Sequence, residues 1–279
     1  MNPIPVMING MPGNMASTVA SHAQKNRRFK VIPHSLTGPE ITQSEYSVDS
    51  QRFRLIKPDK REEAIEEIKK SEHQFICVDY THPSAVNENA LFYCRHHLPF
   101  VMGTTGGDRR HLKETVLSSP IPAVVAANMA KQIVGFQAMM AYAADNFPDL
   151  FKEYSITIRE SHQKAKADTS GTARAMIGYF NKLGIPVVEE EIIKERDPER
   201  QKNALGVPEQ YLSGHAWHTY TLVSNDQTVT FQFTHNVNGR DIYAKGTLDA
   251  VVFLSNKISE GAKGAVFTML DVLKGNSAA

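Results

Sequence analysis

The sequence is short of several things, and each shortage excludes a class of protein. It has two cysteines, Cys77 and Cys94. Two thiols make neither a disulfide framework nor a zinc cluster. It has almost no net charge, with 31 Lys+Arg against 30 Asp+Glu. A broad basic surface for nucleic acid is therefore excluded, although a local cationic patch is not. No apolar run approaches the roughly 18 residues of a membrane span. There is no internal repeat and no low-complexity tract. The opening MNPIPVMINGMPG has no basic n-region and no Ser/Arg-rich segment. That reads as a cytoplasmic protein, or one from which a targeting segment has been removed.

What is present points to an ordinary globular protein. The 279 residues suggest two domains, at roughly 150 residues each. Such a chain buries a core without covalent staples. Ile4 to Ile8 is a short apolar run closing on Gly10, which reads as a buried strand. Ala16 to Lys25 reads as the helix that follows. Phe29 to Pro33, Phe53 to Ile56, Phe75 to Tyr80, Pro99 to Gly103 and Pro122 to Ala127 read as further strands. Helices over 60–70, 84–97 and 108–117 fall between them. This alternation predicts right-handed βαβ units and a parallel sheet.

After residue 128 the pattern changes. Met129 to Asn146 and Thr172 to Leu183 read as helices, and Tyr154 to Glu160 as a strand. Gly214 to Val223 and Thr228 to Thr234 alternate with period two around Ser224-Asn225-Asp226-Gln227, predicting an antiparallel hairpin. Asp249 to Leu273 reads as one or two helices. The expected class is α/β. A Rossmann-type parallel-sheet N-terminal domain (1–128, rejoined by 241–279) is followed by an α+β mixed-sheet domain (129–240).

Gly10-Met11-Pro12-Gly13-Asn14-Met15-Ala16 opens the first helix. A dinucleotide pyrophosphate needs a tight turn, close backbone approach and free N–H groups at a helix N-terminus. Gly10 and Gly13 supply the first two. No acid follows the second strand, where a ribose acceptor usually sits in NAD enzymes. Ser35 and Thr37 lie there instead, leaving room for a 2′-phosphate, so NADPH is favoured over NADH. Two loops at strand C-termini complete the pocket, one carrying Asp79 and Thr81, the other Gly103, Thr104 and Thr105.

The segment from Glu160 to Ala173 runs from a strand end into a helix. Ser170 can cap that helix, and the first-turn N–H groups then make a carboxylate site. Lys166 adds a cation. His162 is a candidate proton donor, since it titrates near physiological pH. Arg240, after the hairpin, suits a second carboxylate. His111, His215 and His218 read as helix-surface or strand-face positions. His96-His97 lacks metal-ligand spacing, and no metal is expected.

GMPGNMA, DYTHP, GTTGG, ESHQKAK and DTSGTA occur in that order. Together they resemble 4-hydroxy-tetrahydrodipicolinate reductase, also called dihydrodipicolinate reductase, over nearly the whole chain. VPEQYLSGHAWH and FTHNVNGRDIYAKGTLDAV are similar to its plant-type branch. The resemblance implies an NAD(P)H-dependent enzyme of the diaminopimelate route to lysine. It would reduce the cyclic imine derived from its hydroxy substrate, delivering hydride to the imine carbon while the nitrogen is protonated.

By that resemblance His162 is the proton donor, assisted by Lys166, which also contacts the substrate. Ser170, Gly171 and Thr172 hold a substrate carboxylate; Gln163, at an altered contact, and Arg240, read from its own position, complete the expected substrate set. Gly10, Gly13 and Met15 lie along the pyrophosphate, with Asn14 between them in the turn. Gly103, Thr104 and Thr105 face the nicotinamide ribose, and Asn128 and Met129 the ring. It also implies a homo-oligomer built by the second domain, with no nucleic acid or membrane partner, and a plastid stroma location if a transit peptide has been removed. Gln163 and Asn14 depart from bacterial members, which carry His and Arg there. Gly107 stands where Phe is common, which predicts a more open nicotinamide wall. Two other classes share parts of this pattern. Another two-domain NAD(P)-dependent oxidoreductase would carry a Lys-Pro element, which is absent. A dinucleotide sensor has no need of His162, Lys166 and the Ser-Gly-Thr cap together.

Overall fold

Apolar runs that end in polar turns build the first sheet. The computed structural model describes residues 2–275. The chain divides into two compact units, one running to Lys131 and resuming at Asp241, the other spanning Gln132–Arg240.

In the first unit, β1 (Ile4–Asn9) leads through the glycine turn to α1 (Asn14–Gln24) and β2 (Phe29–Val31). Next come β3 (His34–Leu36), β4 (Glu45–Val48) and β5 (Gln51–Ile56), then α2 (Arg61–Ser71) and β6 (Ile76–Asp79). The unit continues through α3 (Val86–Arg95), β7 (Phe100–Met102), α4 (Arg109–Leu117) and β8 (Pro122–Val125). Buried β1, β6 and β7 carry unbroken apolar runs because both sheet faces are covered. β3, β5 and β4 form a separate three-stranded sheet in that order. The sequence predicts only part of β5 there. β3 and β4 are three or four residues long and half polar, so periodicity does not reveal them.

The second unit opens on α5 (Lys131–Asn146) and β9 (Tyr154–His162), followed by α6 (Gly171–Lys182), β10 (Ile193–Glu195) and α7 (Pro198–Asn203). β11 (His215–Ser224) and β12 (Thr230–Asn238) form the expected hairpin. In its turn the Asp226 carboxylate accepts from Ser224 Oγ and from the Thr228 amide and hydroxyl. The sheet order is β10-β9-β11-β12. Ala173, Met176 and Phe180 recur at helical spacing on α6 and pack with Ile158, Tyr220 and Leu222 from the sheet. Burying each large side chain contributes about 1.5–3 kcal/mol.

The chain then returns to the first unit through α8 (Asp241–Ser259), β13 (Ala265–Phe267) and α9 (Met269–Gly275). The six-stranded order is β13-β8-β7-β6-β1-β2, parallel throughout. The expected helical tail thus hides a strand. Gly261 and Gly264, at φ 84° and 51°, break the helix before it.

Candidate active site

The first unit's pocket forms at the C-terminal ends of β1 and β6. Gly10 sits at φ 106°, and a Cβ there would lie 2.2 Å from the Tyr80 carbonyl oxygen, so only glycine fits. A Cβ on Gly13 would lie 2.7 Å from the Gly10 oxygen. No side chain caps α1 and no acid stands in its first turn. The amides of Asn14 and Met15 are therefore left for a ligand. Gly10, Gly13, Thr37 and Thr81 line the pocket, as do Glu40, Arg61 and Glu88.

Three expectations for this pocket change. Ser35 is fully buried, and its hydroxyl accepts from the Met11 amide at 3.2 Å, so it props the turn from beneath. Thr37 reaches the lining but donates its hydroxyl to the Met11 carbonyl at 2.7 Å. An acid does enter the pocket: β3 carries the chain on, and Glu40 joins the lining beyond it.

Asp79 is also fully buried. It accepts from Thr81, Asn89, Tyr93 and Thr104, with Thr104 Oγ1 at 2.6 Å. It ties the two loops together rather than lining the pocket. Gly107, at φ 68°, packs on the start of α3, where a Cβ would meet Val86 Cγ1 at 2.7 Å. Gly103 lies against the Tyr80 ring, Thr105 is exposed, and the Asn128 side chain accepts from the Ala130 amide at 2.9 Å. Met129 is buried, and its carbonyl leaves no room for a side chain at Gly246 of α8.

The second unit's site forms where β9 ends. His162 is its last residue, opposite Ala216 of β11, while His215 pairs with Asn238 of β12. The ends of β9 and β12 thus share one end of the sheet, and Arg240 follows two residues on. Its guanidinium packs against Gly214. Ser170 caps α6 through the Ala173 amide at 3.1 Å. The Gly171 and Thr172 amides ahead of it have no hydrogen-bond partner among the described residues. A Cβ built on Gly171 meets nothing within 4 Å.

Lys166 donates to the exposed Asp168 at 2.8 Å and lowers that carboxyl's pKa. Gln163 is half-buried beside them. Burial is the main cause that brings His162 down to about 4; the charges of Arg196, Lys166 and His215 act the same way, and Glu160 opposes them.

Sequence reading missed several residues here. His215 and His218 are strand positions on β11, and both are buried. His215 Nε2 meets Ser161 Oγ at 2.8 Å, and His218 Nε2 meets Ser170 Oγ at 2.8 Å. The His218 ring lies edge-on to His162, 5.1 Å between centroids. Glu160 is fully buried, paired with Arg196 and accepting from the Ser170 amide at 3.0 Å.

Glu160, His162 and His218 bring three donor atoms within 4.8 Å of one another. Arg196 already claims the carboxylate and Ser170 the His218 Nε2, which leaves His162 Nε2 unpartnered. Among the described residues, nine buried side-chain polar atoms lack a partner, and seven belong to His162, Thr169, Gln201, His218, Tyr220 and His235. Such a concentration marks a place built to meet water or a ligand.

The family model "Dihydrodipicolinate reductase, N-terminus" matches residues 4–129, and "Dihydrodipicolinate reductase, C-terminus" matches 133–273. A probable 4-hydroxy-tetrahydrodipicolinate reductase 1, chloroplastic, of Oryza sativa subsp. japonica is 43% identical over 97% of this chain and 78% of its own. The chloroplastic reductase 2 of Arabidopsis thaliana is 44% identical over 98% and 78%. The solved dipicolinate-bound dihydrodipicolinate reductase of Paenisporosarcina sp. TG-14 aligns with a TM-score of 0.65 at 19% identity, covering 95% of this chain and 97% of that one. That last likeness is one of fold. No helix among the described residues is long and apolar enough to cross a membrane. With both halves matched and plant relatives above 40% identity, the chain belongs to the dihydrodipicolinate reductase family, nicotinamide-dependent oxidoreductases of the diaminopimelate route to lysine.

Proposed function

We propose that this chain reduces the cyclic imine derived from 4-hydroxy-2,3,4,5-tetrahydrodipicolinate to 2,3,4,5-tetrahydrodipicolinate, with NADPH as first reductant and NADH accepted. One observation carries the reading. The two amides that open α6 have no partner among the described residues and a Cβ on Gly171 would meet open space, while the capping Ser170 touches the buried His218 and the loop before it carries His162 and Lys166. That donor set suits a small dicarboxylate.

A nicotinamide dinucleotide suits the first unit's pocket. The uncapped start of α1, the close-packed Gly10 and Gly13, and the absence of first-turn acid fit its pyrophosphate. Asn14 and Met15 would offer amides there, with Thr81, Gly103, Thr104 and Thr105 along the loops and Asn128 and Met129 beyond them. Arg61 is a cation a 2′-phosphate could meet, while Glu40 and Glu88 suit ribose hydroxyls. When bound, the reduced nicotinamide supplies the hydride.

The remaining work belongs to side chains. Gly171, Thr172 and Ser170 would hold one carboxylate, Lys166 with Gln163 would orient the ring, and Arg240 would take the other carboxylate. His162 is neutral in the free chain at pH 7. A doubly negative substrate favours its protonated form, so His162 would load its proton as substrate arrives and give it up during turnover, assisted by Lys166.

The exposed Met139, Tyr142, Phe147 and Leu150 of the second unit support a contact between copies of this chain. The chloroplastic plant relatives support a plastid stroma location. Spectrophotometric loss of NADPH with freshly generated substrate tests the activity. Absence of any absorbance change with either nicotinamide would reject it in favour of a dinucleotide sensor.

A further inference from the structure

The loop over 163–170 carries the site, yet two residues outside it hold it in place. Glu160 lies on β9 and Arg196 just beyond β10, 36 positions apart in sequence. Parallel pairing of β10 with β9 sets Glu195 beside Ser161 and so brings the two together.

Arg196 spreads its fork over four partners. Nη2 donates to Glu160 Oε1 and, at 3.5 Å, to the Asp168 carbonyl, Nε donates to the Lys166 carbonyl at 2.7 Å, and Nη1 donates to the Glu195 carbonyl at 3.1 Å. The other Glu160 oxygen accepts from the Ser170 amide at 3.0 Å. One ion pair, its acid fully buried, therefore pins the loop at three points, the carbonyls of Lys166 and Asp168 and the amide of Ser170. Those are the residues that would present the cation and the capped helix start to substrate. Around the pair, Gln201 donates to the His162 carbonyl at 2.7 Å and Arg174 to the Thr169 carbonyl at 2.8 Å.

We propose that Arg196, locked to Glu160, is a positioning residue that sets Lys166 and the α6 carboxylate cradle for substrate. This rests on the function proposed above. A guanidinium can serve an acid and several carbonyls at once because its donors diverge in a fixed plane. A lysine ammonium keeps the charge beside Glu160 but loses that fork. The role therefore lies in geometry rather than charge, which separates it from a bare need to neutralise a buried acid.

The test is Arg196→Lys, measured alone and in a Lys166→Met background. The single change should raise KM for substrate by roughly ten- to a hundredfold, the span of a lost charge-assisted hydrogen bond. KM for the dinucleotide should stay within about twofold, since a residue acting only on this loop has no uniform binding to lose. In the Lys166→Met background the same change should cost distinctly less than it does alone, because the Lys166 share of what it positions is gone and only the α6 cradle is left. Equal costs in both backgrounds, or equal damage to both KM values, would overturn the positioning role. Lys166→Met with full turnover would instead overturn the reading of the site. If Arg196→Lys does not fold, Glu160→Gln keeps an acceptor for Ser170 while removing the ion pair. It must give the same split between substrate and dinucleotide, or the role fails.

Discussion

Glu160 Oε2 stands 3.9 Å from His162 Nε2, and the imidazole nevertheless titrates near 4. A carboxylate at that distance favours the protonated ring. Burial and the cations of Arg196 and Lys166 outweigh it. The acid is also spent elsewhere, on Arg196 and the Ser170 amide. The free site is thus short of negative charge, which a dicarboxylate would supply.

Proton uptake on binding follows. Titrating the protein with pyridine-2,6-dicarboxylate near pH 6.5, in buffers of different ionisation enthalpy, should show uptake of a substantial fraction of a proton per site. His162→Gln should abolish the buffer dependence and lower kcat by roughly 10²–10⁴-fold, the usual worth of a positioned acid. A binding enthalpy identical in all buffers would mean that His162 does not load with substrate.

Much of this arrangement was legible and part was not. Ser170, Lys166 and His162 lie within nine positions, so a strand end, a cap and a helix start suffice to place them. Arg196 and Gln201 reach the site only because a three-residue parallel strand pairs with β9, and no local periodicity announces such a strand. One signal was available. Asp197 followed by Pro198 is a helix start, with Asp as cap and Pro in the first turn. A buried acid at Glu160 would then have called for a nearby cation. In the first unit, runs of four to six apolar residues revealed β1, β6 and β8. Glu40 was missed because the intervening β3 is half polar.

Acid should destabilise the folded chain. His162 and His235 are lowered to about 4, and His218, His215 and His34 are also lowered, in each case chiefly by burial. Unfolded imidazoles bind protons near their ordinary value of roughly 6.5. Between about 6.5 and 4 the unfolded chain therefore carries more protons, and stability is lost as pH falls through that window. Melting should drop by several degrees from pH 7 to 5, at roughly 2–4 °C per kcal/mol for a chain of this size. His235 has both ring nitrogens unpartnered beside Phe136 and Tyr220. His235→Phe should flatten the dependence, and an unchanged slope would remove this histidine from the account.

Coenzyme choice should respond to the two signs of charge lining the first unit's pocket. The Arg61 guanidinium lies 4.8 Å from the Phe92 ring centroid, held in the lining by a cation–π contact. Arg61→Ala should lower kcat/KM for NADPH about tenfold, one charge-assisted contact with the 2′-phosphate, and leave NADH nearly unchanged. Glu40→Gln should act oppositely, weakening NADH and easing NADPH, because a carboxylate accepts from ribose hydroxyls and repels a phosphate. The ratio of the two kcat/KM values reads both effects. A ratio that moves in neither variant would show that the adenosine ribose is held elsewhere.

Gly171 offers the sharpest separation of function from folding. It opens α6, its φ is not left-handed, and a Cβ there would touch no protein atom. Alanine is also the better helix former, so Gly171→Ala should leave melting unchanged or raise it slightly. The added methyl would nevertheless stand in the space through which a carboxylate reaches the Gly171 and Thr172 amides. Substrate KM should rise on the order of tenfold or more, the loss of hydrogen bonds to a charged group. Dinucleotide affinity should not change. Because the folded state is untouched, lost affinity can be assigned to the cradle itself. A Gly171→Ala enzyme with normal substrate KM would mean that the carboxylate does not sit at the start of α6.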